Sequence, residues 1–254
     1  MSIERHLSRL LKAAPVILCF ITGGVGAETV VDPITRRDEL TIQFERLKEE
    51  AAGRLSLLEE TKRTQALNRQ GRRLRSEYRA TRTDLWFWNH AADLQERLMA
   101  AFGKVYPRSS AETGDAVRRE AGLLAFTAIG RTVALQKEYG IHTFPIVHNL
   151  LIDVGLKKRG ACKHWAEDLL KSFEAIPHPH FTSFWGEAHP GNILEHNVAV
   201  LAPVGGTFGD GILIDPWRTA GKPFWAVVSD DSAHWQVWSG YRPNEGIERH
   251  AKNE

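Results

Sequence analysis

Cysteine is almost missing from this chain: of 254 residues only Cys19 and Cys162 are cysteine. No run of apolar residues approaches the ~20 needed for a helix to cross a bilayer. That excludes a multi-span helical membrane protein. Neither charge sign dominates, since 33 Lys and Arg face 31 Asp and Glu. There is no G-x-G-x-x-G, no phosphate loop, no H-E-x-x-H, no D-x-D-x-D-G loop and no internal repeat. Dinucleotide, nucleoside-triphosphate, zinc-protease and EF-hand chemistry therefore have no motif to rest on. Proline is absent between Pro33 and Pro107, which leaves room for long helices.

What is present begins with an export leader, expected over residues 1–27. Arg5, Arg9 and Lys12 form a basic start, Ala13 to Ile21 is a short apolar run, and Val25 and Ala27 stand where small residues precede cleavage. An uncleaved anchor is the alternative. Taking away the leader's three basic and one acidic residues leaves 30 of each sign, so no basic excess points to nucleic acid or to an anionic membrane. Cys162 is then the one cysteine left. A lone thiol in an exported protein has no intrachain disulfide to make, and asks for a chemical reason.

Residues 28–140 read as a helical N-terminal region. Leu40, Phe44, Leu47, Ala51, Leu55 and Leu58 recur every three or four residues. The segment around Leu74 to Leu98 is its expected packing partner, in a helical hairpin or, alternatively, a partner-binding coiled coil. Ala116 to Tyr139 continues the helical period to a C-cap at Gly140. Pro145 opens another helix that stops at Gly155. Residues 141–254 read as the catalytic core. After a helix that starts near Cys162 the period changes. Short strands are expected at Phe181–Trp185, Asn197–Leu201, Ile212–Asp215, Phe224–Val228 and His234–Trp238, divided by Gly, Pro and Asp clusters. Helices first and an antiparallel meander last make an α+β plan.

Three pieces carry chemistry. In Gly160-Ala161-Cys162-Lys163-His164-Trp165 the cysteine sits in the first turn of a helix, whose dipole favours thiolate. His196 opens a strand. Asp215 closes another, and Pro216 breaks the ladder behind it. If those strands are neighbours, Asp215 orients His196 and His196 pairs with Cys162, which is the nucleophile, base and orienting-group logic of a cysteine hydrolase. Each residue alone has a plainer explanation: an inert core thiol, a structural histidine, a turn-forming Asp-Pro. The order of the three together carries the inference. His164, two residues from Cys162 on a helix, points elsewhere.

This pattern resembles the transglutaminase-like superfamily of cysteine enzymes. The resemblance covers about Val147 to Trp217 and rests on Gly160, Cys162, Trp165, His196 and Asp215-Pro216-Trp217. It implies a papain/transglutaminase-like core, a nucleophile helix packed on an antiparallel sheet. In that core Cys162 is the nucleophile, His196 the general base and acid, and Asp215 the orienting group. It implies a protein or peptide substrate and no cofactor. Trp217 and Trp165 are the residues expected at the substrate. The Cys162 backbone N–H is one expected oxyanion donor. Asn149, His148 or a sheet tryptophan is the second, with Asn149 put forward. Water as acceptor gives hydrolysis of a peptide or carboxamide bond, and an amine gives crosslinking. Hydrolysis is favoured because the chain lacks the extra domains of dedicated crosslinkers. The rivals are a zinc site from His178, His180, His189 and Cys162, and a non-catalytic binding module of the same fold.

Overall fold

The proline-free stretch forms two long helices. In a computed structural model of the chain, residues 32–60, 65–141, 143–192, 194–242 and 246–247 are described. The expected leader lies outside them. Helix α1 spans Pro33–Glu60 and α2 spans Gln65–Val105. Asp32 starts α1: its carboxylate accepts from the Thr35 backbone N–H at 3.1 Å and from the Thr35 hydroxyl, which satisfies a donor that a helix N-terminus leaves unpaired. The expected packing appears as Phe44 of α1 stacked on Tyr78 of α2 at 5.1 Å, with Leu40, Leu47 and Leu74 buried.

The described residues divide into two compact units, one up to Ala92 and one from Asp93 onward. The division falls inside α2, earlier than the change at residue 140 read from the sequence. The reason is α3, Ala111–Glu138, which belongs to the second unit and packs on the helix that carries Cys162. Ser110 caps α3 by accepting from the Thr113 N–H. At its far end Gly140 takes φ +60°, the left-handed turn expected there. Helix α4 is Pro145–Asp153 and α5 is Cys162–Glu174.

The sheet is antiparallel and five-stranded. Its strands are β1 Phe181–Ala188, β2 His196–Pro203, β3 Ile212–Ile214, β4 Trp225–Val227 and β5 Gln236–Val237, in the spatial order β4-β3-β2-β1-β5. A separate pair joins β6 Tyr241–Arg242 to β7 Gly246–Ile247. The five helices and this sheet make an α+β fold among the described residues. β2 is the central strand, and from Asn197 to Pro203 every residue is buried, which explains its nearly unbroken apolar sequence. Leu169, Leu170 and Phe173 are completely buried on α5, which packs on β2. Side chains of this size contribute about 1.5–3 kcal/mol each on full burial.

One polar latch fixes the sheet to α3. The buried Glu120 carboxylate accepts from the backbone N–H groups of His180 and Phe181, at 2.9 and 3.1 Å, and pairs with His180 Nδ1 at 2.7 Å. This sets where β1 begins, and through the β1–β2 register it sets where His196 stands, opposite Ala188. Among the described residues no helix is long and apolar enough to cross a membrane.

Candidate active site

Helix α5 begins at Cys162 itself, with Ala161 as its N-cap. Alanine has no capping group. His164 takes over: its Nδ1 accepts from the backbone N–H groups of Gly160 at 3.1 Å and Ala161 at 3.2 Å. Accepting twice requires the neutral ring. Burial, then the charges of Arg159 and Lys163, bring its pKa down to about 4. His164 is thus the cap of α5. A pKa that is lower in the folded than in the unfolded chain gives stability that is full above about 6.5 and is lost as pH falls through about 4. His164→Ala is expected to cost about 0.5–2 kcal/mol, and to remove that acid-side loss from a series of urea melts between pH 7 and 4.

Gly160 holds the turn in front of the cysteine at φ +122°. His148, 1% exposed, lies against it and bonds the Arg159 carbonyl through Nε2 at 3.0 Å. His148 therefore serves the loop and is not an oxyanion donor. Behind the helix, the Tyr139 hydroxyl reaches Asp168, while Arg159 bridges Glu167 at 2.9 Å and Asp168 at 3.1 Å. Trp165 is a correction to the expectation above. It is 2% exposed, packs with Leu135, Tyr139 and Ile141, and gives its Nε1–H to the Gly160 carbonyl at 3.1 Å. No surface of it is left for a substrate.

The three distant side chains meet. β2 and β3 are paired neighbours, with Ala199 opposite Ile214, so His196 and Asp215 lie side by side. His196 Nε2 is 2.7 Å from Asp215 Oδ2. Its other nitrogen, Nδ1, is buried without a well-formed hydrogen bond, and is the one left to interact with the Cys162 sulfur. Cys162 is 7% exposed. Burial pushes its thiol up and is the largest single influence. Hydrogen bonding and charge from His196, with the side-chain and backbone amides of Asn197, together outweigh it and hold the pKa below the ordinary value. For His196, burial pulls the imidazole down, but Asp215 and Cys162 raise it to about 9. The two shifts have opposite signs and a shared cause: thiolate and imidazolium stabilise each other.

Several residues around the triad were not singled out in the sequence. Asp215 is 1% exposed, and its Oδ2 also receives Arg218 Nε at 2.9 Å, while Oδ1 receives the Arg218 backbone N–H at 3.2 Å. Arg218 extends to Asp231 at 2.7 Å, and Asp231 accepts from Trp235 Nε1 at 3.0 Å. The Trp235 ring returns to His196, with centroids 5.5 Å apart. Trp217 covers the imidazole from another direction, at 4.7 Å. Asp215 is thus held in a closed circuit of contacts. A turn signal was present, since Asp215 and Arg218 are three residues apart, but Asp231 is fixed only by the fold.

Trp217 is partly exposed beside the imidazole. Asn149 Oδ1 accepts from Trp217 Nε1 at 3.3 Å. The Asn197 amide faces the sulfur, its Nδ2 3.8 Å from Sγ, because β2 begins beside Cys162. The zinc alternative finds no support in side-chain placement. His180 is committed to Glu120, His178 Nδ1 to the Ile176 carbonyl, and among the described residues no three His, Cys, Asp or Glu side chains converge as a metal site.

Compared with known proteins, the chain matches no family model, no curated protein and no solved structure.

Proposed function

We propose that the chain is an exported cysteine hydrolase, a peptidase or amidase with a transglutaminase-like core, acting on a peptide or carboxamide bond. The observation that carries the reading is the position of His196. One ring nitrogen is on a fully buried aspartate, the other is buried with no hydrogen-bond partner, and the Cys162 thiol at the N-terminus of α5 and the imidazole each shift the other toward its charged form. A structural histidine or an inert thiol needs none of this. Perturbed partners of this kind concentrate at functional sites.

In this reading the Cys162 thiolate attacks the substrate carbonyl. A sulfur–carbon bond forms and the carbonyl π pair moves onto oxygen. When the oxyanion collapses, the carbon–nitrogen bond breaks, and the departing nitrogen takes a proton from His196 Nδ1. Water then gives its proton to the neutral imidazole and attacks the thioester. The carbon–sulfur bond breaks, and thiolate and imidazolium are restored. Asp215 keeps the proton of the neutral ring on Nε2 and balances the charge of the imidazolium. Arg218 and Asp231 keep Asp215 in place.

A mixed peptide library incubated with wild-type chain and with Cys162→Ala tests this. Cleaved or deamidated products are expected with the wild type, together with a thioester adduct on Cys162. Both should fall by at least ~1000-fold in the variant. Products formed equally by both proteins would remove the proposal.

A further inference from the structure

An attacking thiolate passes its charge to the substrate oxygen, and that oxygen needs donors already in position. One is supplied by the fold of α5. The Cys162 backbone N–H lies in the first turn, where no intrahelical carbonyl can reach it, and it makes no backbone hydrogen bond among the described residues. The other donor has to be a fixed group beside the sulfur.

Asn197 meets this requirement, and its orientation is determined twice. Trp185 Nε1–H can only donate, and it lies 2.7 Å from the Asn197 Oδ1, so that atom must be the carbonyl oxygen. The Glu195 carboxylate can only accept, and its Oε1 lies 3.2 Å from Nδ2, so that atom must be the NH2 group. With one amide hydrogen on Glu195, the second is directed toward Sγ, 3.8 Å away. Asn197 is 7% exposed, so water does not weaken the donor. An oxygen on a carbon bonded to Sγ falls within the same reach, on a donor that needs no rearrangement to meet it.

Building on the assignment of Cys162 as nucleophile, we infer that the Asn197 side-chain amide is the second oxyanion donor and thus a catalytic residue of this site. Two probes of Cys162 separate this role from simple support of the thiolate. Iodoacetamide reacts at a tetrahedral carbon and creates no oxyanion. p-Nitrophenyl acetate acylates the sulfur through one. Rates of both are compared in wild type, Asn197→Ala and Asn197→Asp, each at a pH where its alkylation rate has reached a plateau. Asn197→Asp keeps the volume and the acceptor for Trp185 while losing the donor. Alkylation at the plateau shows that the sulfur site is intact.

The expected result is acylation lower by about 100- to 1000-fold in both variants, with plateau alkylation within a few-fold of wild type. Acylation that falls no further than alkylation would overturn the assignment of Asn197 while leaving Cys162 as nucleophile. A wild-type chain that is alkylated at Cys162 but never acylated would overturn both.

Discussion

Replacing His196 with alanine is expected to slow the alkylation of Cys162 at pH 7 by about 30-fold or more, because an unassisted thiol is only a few per cent ionised there. The imidazole is the chief force holding the sulfur below its ordinary pKa, and the opposing effect of burial stays in the variant. A buried thiol without its cation falls short of even the free thiol. Asp215→Asn acts through the ring instead. Asp215 is the largest of the influences that raise His196, so its loss lowers the pH at which the imidazolium gives up its proton, from about 9 toward 6.5. The pH range over which thiolate and imidazolium coexist narrows from its alkaline side, while the thiolate itself persists above neutral pH. Iodoacetamide labelling followed by mass spectrometry checks the first variant, and an NMR titration of the His196 ring across pH 5–10 checks the second. A His196→Ala rate within threefold of wild type would show that the ring does not ionise the sulfur.

Gly160→Ala is expected to be the most damaging single methyl group in the second unit. At φ +122° an L-residue is strained whatever space surrounds it. Space is also missing, because a Cβ would stand 2.3 Å from His148 Nε2 and 2.8 Å from His148 Cδ2. The buried ring cannot step aside without giving up the Arg159 carbonyl. Strain and overlap together imply a loss of about 2–5 kcal/mol, read from the urea midpoint. A second variant divides the two causes. In a Gly160→Ala, His148→Ala chain the overlap is gone and the strain remains, so the pair should cost less than the sum of the single changes. Strict additivity would mean that the ring and the glycine do not meet. Gly160 also forms the turn immediately before Cys162, so the thiol's reactivity should fall along with stability.

The meeting of Cys162, His196 and Asp215 was legible because these residues stand at element ends that the sequence marks clearly. Cys162 follows two small residues and precedes a regular apolar stripe, and α5 starts at that residue. Pro216 stops the strand directly after Asp215. The expected strands at Asn197–Leu201 and Ile212–Asp215 form the paired β2 and β3. The supporting shell was less legible, for physical reasons. Neighbouring strand residues ordinarily face opposite sides of a sheet, so the pattern assigns only one of His196 and Asn197 to the site. At the first residues of β2 both reach Cys162. Arg218 and Asp231 are thirteen residues apart and meet through loops, for which no periodicity exists. Trp165 was misplaced because a helix face shared with the nucleophile does not say on which side of Cys162 the pocket opens. The indole faces α3 instead. The boundary near residue 140 marks a change of period, whereas packing joins α3 to the sheet through Glu120 and to α5 through Tyr139.

That sulfur and imidazole form one charge pair is tested most directly by titrating the His196 ring by NMR in the wild type and in Cys162→Ala. The account predicts a ring titrating at about 9 in the wild type and at a clearly lower pH in the variant, which has lost the thiolate but kept Asp215. A ring that titrates at the same pH in both proteins, close to that of a free imidazole, would contradict it.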